Sequence, residues 1–401
     1  MDDLKQDKDA AGGEYSLQMA SSIGAFTRAE WEGLAGTSRD KSSGTYNPFI
    51  SYDFLTALEE SACAVSKTGW QGCHLRLEGA DGKLVGAVPC YAKPHSQGEY
   101  VFDHGWADAL ERAGGNYYPK LQSSVPFTPV TGPRLLVRQD ADSASVKATL
   151  ASGLRSATNR LGVSSAHVTF AEEADVAALT SAGFLERVDQ QFHFFNRGYG
   201  SYDDFLADLS SRKRKALKKE RREALSAGIT VEWLTGTDIT EEAWDSFFRF
   251  YMDTGGRKWG RPYLNRRFFA LIGERMANDI LLVMAKRDGR YIAGAINFIG
   301  SDRLYGRNWG CIEDHPFLHF EICYHQAIDF AISRKLAVVE AGAQGEHKLS
   351  RGYVPVPMHS AHFIRHPGLR RAVADYLIRE RQEAEAVSAY YSEHTPFRKD
   401  E

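Results

Sequence analysis

Residues 281–300 read LLVMAKRDGRYIAGAINFIG, and residues 74–93 read HLRLEGADGKLVGAVPCYAK. Each is an apolar run, an Asp-Gly pair and a second apolar run carrying Gly-Ala. Asp-Gly between such runs predicts a β-hairpin, because a type I′ turn needs positive φ at its central residues. Working outward, each hairpin precedes an aromatic stretch that ends near Gly-Trp and reads as a strand: YVFDHGW (100–106) and RLYGRNWG (303–310). A further strand follows in each half, SAHVTF (165–170) and LAVVEA (336–341). The halves close with GFLERVDQQFHFF (183–195) and GYVPVPMHSAHFI (352–364), and Gly183 to His193 has the spacing of Gly352 to His362. The same features in the same order predict an internal duplication.

The second half predicts a helix over 241–256, ended by the Gly255-Gly256 pair, and a second over 265–279. A third covers 317–335, with Phe320, Tyr324, Ala327 and Ala331 as its inward stripe. Helix, helix, hairpin, strand, helix, strand, helix, strand is the element order of the GNAT acyltransferase fold. The expected architecture is therefore α/β with a mixed sheet: two tandem GNAT-like domains at 20–197 and 198–401, after a disordered lead over 1–19. The second domain opens with a strongly basic helix, SRKRKALKKERREALSAG (211–228), which Ser201 and Asp204 precede in a capping-box pattern.

A chain of 401 residues with 43% hydrophobic and 25% charged residues is a globular protein of more than one domain. Its formal net charge of -3 argues against a dedicated nucleic-acid binder. Five scattered cysteines without a CxxC pair read as reduced thiols, which with the acidic, polar start places the protein in the cytoplasm. No apolar run is long enough to span a membrane. The oligomeric state is not readable.

Several residues carry chemistry by type. The basic helix has eight Lys or Arg between Arg212 and Arg222, a solvated face or a seat for an anionic partner: phosphate, nucleic acid or a lipid head group. The stretch GRKWGRPYLNRR (256–267) reads as a loop offering Arg257, Lys258 and Trp259. Arg307 and Trp309 stand at the end of a central strand, and Glu321 beside the apolar stripe of the third helix. His315 and His319 are four apart, but no HExxH or third ligand accompanies them, so no metal is expected. In the first half, Asp103, His104 and Lys120 fall in polar stretches. YYPKLQSSVPFTPVTGPRLL (117–136) has too many prolines for a regular element and reads as a long ordered loop. The stretch EAGAQGEHKLSRGYVP (340–355) places Glu346, His347, Lys348, Arg351 and Tyr353 after a buried strand.

HSQGEYVFDHGW, PFTPVTGPRLL, RKWGRPYL, LYGRNWG, LHFEICY and EAGAQGEHKLSRGY together resemble the FemAB-like peptidoglycan biosynthesis/recognition family, a branch of the GNAT superfamily, over roughly 20–395. The resemblance implies N-acyl or aminoacyl transfer to an amine of a peptide, amino acid or peptidoglycan-precursor-like acceptor. Better understood Fem relatives take the aminoacyl group from aminoacyl-tRNA and carry a lysine in a Phe-Lys-x-x-Phe-Gly stretch. The comparable place here is HKLSRGYVP, where Lys348 and Arg351 lie near that lysine but read as out of register with it. The GNAT pyrophosphate pattern, Arg/Gln-x-x-Gly-x-Gly/Ala, is absent before the third helix, so no tightly bound cofactor is expected. The donor is left between acyl-CoA and aminoacyl-tRNA. Transfer to an amine needs a base, donors for the oxyanion and an acid. Glu346 or His347 is expected as base, Lys348 for charge stabilisation and Tyr353 as acid. Arg257, Lys258, Trp259, Arg307, Trp309, Glu321, Arg351, Asp103, His104 and Lys120 are expected to bind substrate. The rival reading is a degenerate GNAT fold that binds cell-wall or peptide ligands without turnover.

Overall fold

The computed structural model describes residues 15–34, 46–259, 262–342, 345–393 and 395–398, without the side chains of Lys258, Trp259 and Glu346. The chain forms two compact units. The first holds the sequence up to Asp189 plus Pro357–Glu385, and the second holds Gln190–Val356 plus the residues from Ala386.

In the first unit, β1 (Ser16–Ala20), β2 (Gln71–Gly72), β3 (His74–Glu78), β4 (Leu84–Val88), β5 (Tyr91–Lys93), β6 (Lys120–Ser123), β7 (Leu136–Val137) and β8 (Ser165–Ala171) make two sheets. One runs β1-β3-β4-β7, and β2-β5-β6-β8 belong to the other. β1 lies in the expected lead and pairs residue for residue with β3. The hairpin at Asp81-Gly82 is present between β3 and β4, and Gly82 takes a φ of +72°. Leu75, Leu77 and Val85 pack against Val146, Leu150 and Leu154 of the helix Ser143–Arg160. Gly86 of the Gly-Ala pair is needed there, since a Cβ would come within 2.8 Å of Val146.

The expected strand YVFDHGW is irregular and then helical, from His104 to Arg112. The counterpart of RLYGRNWG is β6, inside the stretch read as a loop. β6 runs parallel to β8, pairing Gln122 with His167.

The second unit takes the end of β9 (Leu185–Phe195) and contains β10 (Thr230–Leu234), β11 (Ile280–Arg287), β12 (Arg290–Ile299), β13 (Arg303–Cys311), β14 (Val338–Glu340) and the start of β15 (Val354–Ile364). Its sheet order is β10-β11-β12-β13-β14-β9. Every pairing is antiparallel except β13 with β14. Asp288 and Gly289 both have positive φ, 51° and 75°, as a type I′ turn requires. Gly294 repeats the part of Gly86: a Cβ there would meet Met284 Sδ at 2.5 Å.

The equally spaced closing stretches are both eleven-residue strands. His193 of β9 pairs with Glu340 of β14, and His362 of β15 pairs with His167 of β8. Each unit thus receives its last strand from the other half of the sequence. The expected cut at 197/198 misses this, because contiguity in sequence does not reveal which sheet a strand joins.

The helix Glu241–Trp259 runs through Gly255-Gly256 instead of ending there. Gly255 serves packing, as a Cβ would sit 2.5 Å from Pro262. The third helix contains a wider π turn over Glu321–His325 between Leu318–Phe320 and Gln326–Ser333. The extra residue rotates the inward face, so Glu321 is fully buried while Phe320 is only partly so.

Candidate functional site

The site is built where the parallel strands of the second unit part. β13 and β14 pair from Arg303↔Val338 to Tyr305↔Glu340. β14 then ends while β13 continues to Cys311. Glu340 is fully buried and gathers Arg303 (2.8 Å) and Arg307 (3.4 Å). The chain leaves β14 through Gly342 and returns as a helical turn, Glu346–Arg351, bounded by Gly345 (φ +120°) and Gly352 (φ +88°). Those two left-handed residues let the turn fold back on the strand ends.

Lys348 sits in this turn and is 2% exposed. Its Nζ donates to the Gly342 carbonyl at 3.0 Å. Burial, with the Arg307 charge adding to it, lowers its pKa to about 8. An ammonium has three donors, and one is engaged among the described residues. Trp309 Nε1 is a buried donor with no hydrogen-bond partner among the described residues, and the Trp309 ring lies 4.6 Å from the His319 ring. His347 Nε2 is 2.9 Å from the Tyr324 hydroxyl, and burial pulls its pKa down, keeping it neutral at pH 7. The wedge therefore gathers buried N–H groups, a neutral imidazole and aromatic walls, and among the described residues the buried carboxylates Glu340 and Glu321 and the partly buried Glu220 are each paired to arginine. Such a setting favours developing negative charge over a cation.

The sequence-derived candidates separate under this geometry. His347, Lys348 and Trp309 come together, and Arg307 stands beside them. Glu346, Lys258 and Trp259 have side chains outside the described residues. Tyr353 is fully buried, its ring packed on Phe194 and Tyr324 and its hydroxyl without a hydrogen-bond partner among the described residues; burial raises its pKa well above the usual phenol value. A phenol placed so is part of the core, so the acid role does not fit it. Glu321 takes a bidentate grip from Arg221 and a bond from Gln326 at 2.7 Å, which makes it an internal brace instead of a substrate contact. Arg351 forks onto Glu220, donates to the His347 carbonyl and holds its guanidinium 3.5 Å above the Phe320 ring, so its N–H groups are spent inside the unit. Arg257 is exposed, paired with Asp253 at 2.6 Å and with the Cys311 carbonyl.

Asp103, His104 and Lys120 belong to the first unit. His104 is exposed at the start of its helix. Lys120 is fully buried and its Nζ meets Ser96 (2.7 Å), Glu99 (2.7 Å) and Asp103 (2.5 Å). Burial alone lifts Asp103, but the Lys120 charge overrides it and holds the carboxyl well below its usual range. Asp103 also accepts from Tyr117, which touches His167; His167 in turn meets His362. Burial drives His167 down to about 3, so it is neutral. This network lies at the N-terminal end of the parallel β6/β8 pair, whereas the Lys348 turn follows the C-terminal end of β14 in the parallel β13/β14 pair.

Sequence reading missed Glu340, Tyr324, Glu220, His167 and His362 as members of these clusters. The equal spacing of His193 and His362 was the available signal for one of them. Among the described residues no His, Cys, Asp or Glu group is arranged to hold a metal ion. All five cysteines are free thiols. No described helix is long and apolar enough to cross a membrane.

Each unit sets one parallel strand pair, β6/β8 or β13/β14, among antiparallel neighbours, and the molecule is a tandem pair of GNAT-like folds. A family profile described as FemAB-like, peptidoglycan biosynthesis/recognition, matches residues 22–399. The chain belongs to that family. A crystal structure of FemX matches with a TM-score of 0.50 at 12% identity, covering 80% of this chain and 94% of that one. The structure of L-PGS from Bacillus licheniformis gives 0.49 at 11% identity, with 83% and 97% covered. A tandem GNAT protein from the clavulanic acid biosynthesis pathway gives 0.46 at 10% identity, with 88% and 99% covered. At these identities the likeness concerns the fold. No curated protein matches the chain significantly.

Proposed function

We propose that the protein transfers an acyl or aminoacyl group to the amine of a peptide-like or peptidoglycan-precursor-like acceptor, at the β13/β14 wedge. The observation that carries this reading is Lys348: a nearly dehydrated lysine with spare N–H groups and no carboxylate partner among the described residues. A donor of this kind stabilises the oxyanion of a tetrahedral intermediate far better than it would in water. Counting back from the left-handed Gly352 also places Lys348 at the lysine of Phe-Lys-x-x-Phe-Gly without a shift, against the sequence reading, with His347 and Arg351 at the two aromatic places. His347, neutral and hydrogen-bonded to Tyr324, is suited to take the amine proton or hand one to the leaving group.

Acyl-CoA fits less well than an oxygen ester as donor. The turn before the third helix has no glycine pattern, and Glu313 occupies it, tied to Arg287 (2.8 Å) and His315 (2.9 Å). A carboxylate there opposes a pyrophosphate. The same feature supports the second reading, a binding module without turnover.

The test is transfer of label from a 2′(3′)-O-aminoacyl nucleoside ester, and separately from acetyl-CoA, to short peptides with free amines. Wild type is expected to transfer from the ester and Lys348→Met to lose at least a hundredfold, about 2.7 kcal/mol. Acetyl-CoA is expected to bind no tighter than about 100 μM, or 5.5 kcal/mol. Peptide binding without any transfer sinks the enzyme reading in favour of the binder.

A further inference from the structure

The helical turn that carries Lys348 has little backbone support. Left-handed glycines bound it on both sides, and its own hydrogen bonds, such as Lys348 N to Gly345 O (3.0 Å), are local. Something else must fix where it lies. Arg351, at the end of the turn, is 5% exposed and fully engaged. Its Nε and Nη2 donate to the two oxygens of Glu220 at 2.8 and 2.7 Å. Its Nη1 donates to the His347 carbonyl at 2.6 Å, one helical turn back. Glu220 comes from the basic helix Ser211–Ala224, and its Oε1 also meets His325 Nε2 at 2.8 Å. One carboxylate thus ties the basic helix, the π-turn helix and the Lys348 turn together.

We propose that Glu220 is a positioning residue for Lys348, acting through Arg351. The basic helix is then more than a cationic surface, because its inward carboxylate sets the turn from which Lys348 reaches the wedge. The planar guanidinium is required: it forks onto Glu220, stacks on Phe320 and still has an N–H for the His347 carbonyl. A lysine cannot make all three contacts. Glu220 is suited to the task. Burial raises its pKa, but the bonds from His325 and Arg351 outweigh that and keep it ionised. The inference rests on Lys348 being the working residue of the proposed site, but its physical content is a statement about the environment of one amine.

The test reads that environment without substrate. Lys348 is acetylated with trace acetic anhydride over a pH series in the full-length protein, and its modification is quantified by peptide mass spectrometry. In wild type the amine is expected to titrate with a midpoint near 8, facing Arg307 and Cys323. In Glu220→Gln and Arg351→Met the midpoint is expected to move towards the ordinary lysine value, about 10.4, with Lys348 at least tenfold more accessible once deprotonated. Arg351→Lys is expected to fall between. Arg221→Met, at the next residue of the same helix, breaks the pairs with Glu321 and Asp329, serves as the stability control and is expected to leave Lys348 unchanged. An unchanged midpoint and rate in both Glu220→Gln and Arg351→Met overturns the proposal. So does an equal change in Arg221→Met, which assigns the effect to loosening in general. Should Arg351→Met fail to fold, Glu220→Gln and Arg351→Lys decide by the same readout. Failure here leaves acyl transfer standing, and failure of the transfer assay leaves this result standing.

Discussion

Two buried lysines stand beside a parallel strand pair, one in each unit and at opposite ends of those pairs, and they are held in opposite ways. Lys120 has all three donors spent on Ser96, Glu99 and Asp103. Lys348 has one bond to a carbonyl and no carboxylate partner among the described residues. A saturated ammonium in a closed ion network has nothing left to offer a reacting atom. One held by a single carbonyl is costly to bury but chemically available. The chemistry of a buried lysine is therefore decided by its partners and not by the fold that carries it.

The sharpest way to break this contrast is to remove each cation and compare stability. Lys120→Met leaves Glu99 and Asp103 buried beside Lys93, 3.6 Å from Glu99, and is expected to cost about 3–5 kcal/mol in denaturant unfolding. If Lys120→Met unfolds no more easily than wild type, the first-unit network is not structural.

Lys348 should behave in the reverse sense, and pH separates the two. Its folded pKa, about 8, lies below the unfolded value of about 10.4. Below pH 8 the fold bears the full cost of a buried ammonium. Between about pH 8 and 10.4 the unfolded chain holds the proton more tightly, so stability rises with pH across that window. Relative to Lys348→Met, wild type is expected to gain on the order of 3 kcal/mol between pH 7 and pH 10.5. A difference between the two proteins that stays flat with pH would show Lys348 to be solvated or paired.

The smallest effect tests the likeness of the halves. Gly82 and Gly289 have nearly equal φ, +72° and +75°, and open space where a Cβ would go. Alanine at either place is expected to cost about 1–2 kcal/mol by thermal unfolding, through backbone strain alone. Unequal losses would mean that one hairpin bears on a packed neighbour.

The sequence by itself determined the repeat, both Asp-Gly hairpins, the GNAT-like order of the second half and the stretch that holds Lys348. These follow from local rules: positive φ at the glycine of each Asp-Gly pair, helical spacing of aromatics, and residue types that carry chemistry. Only the tertiary structure decided the rest. The strand exchange of β9 and β15 depends on which sheet a strand joins. The inward turn of Glu321 depends on one π turn, which residue spacing cannot show. The division of Lys120 from Lys348, and the placing of Tyr353 in the core, depend on partners far away in sequence. A buried charge is made structural or reactive by what its remaining donors meet, and that is settled only when the chain has folded.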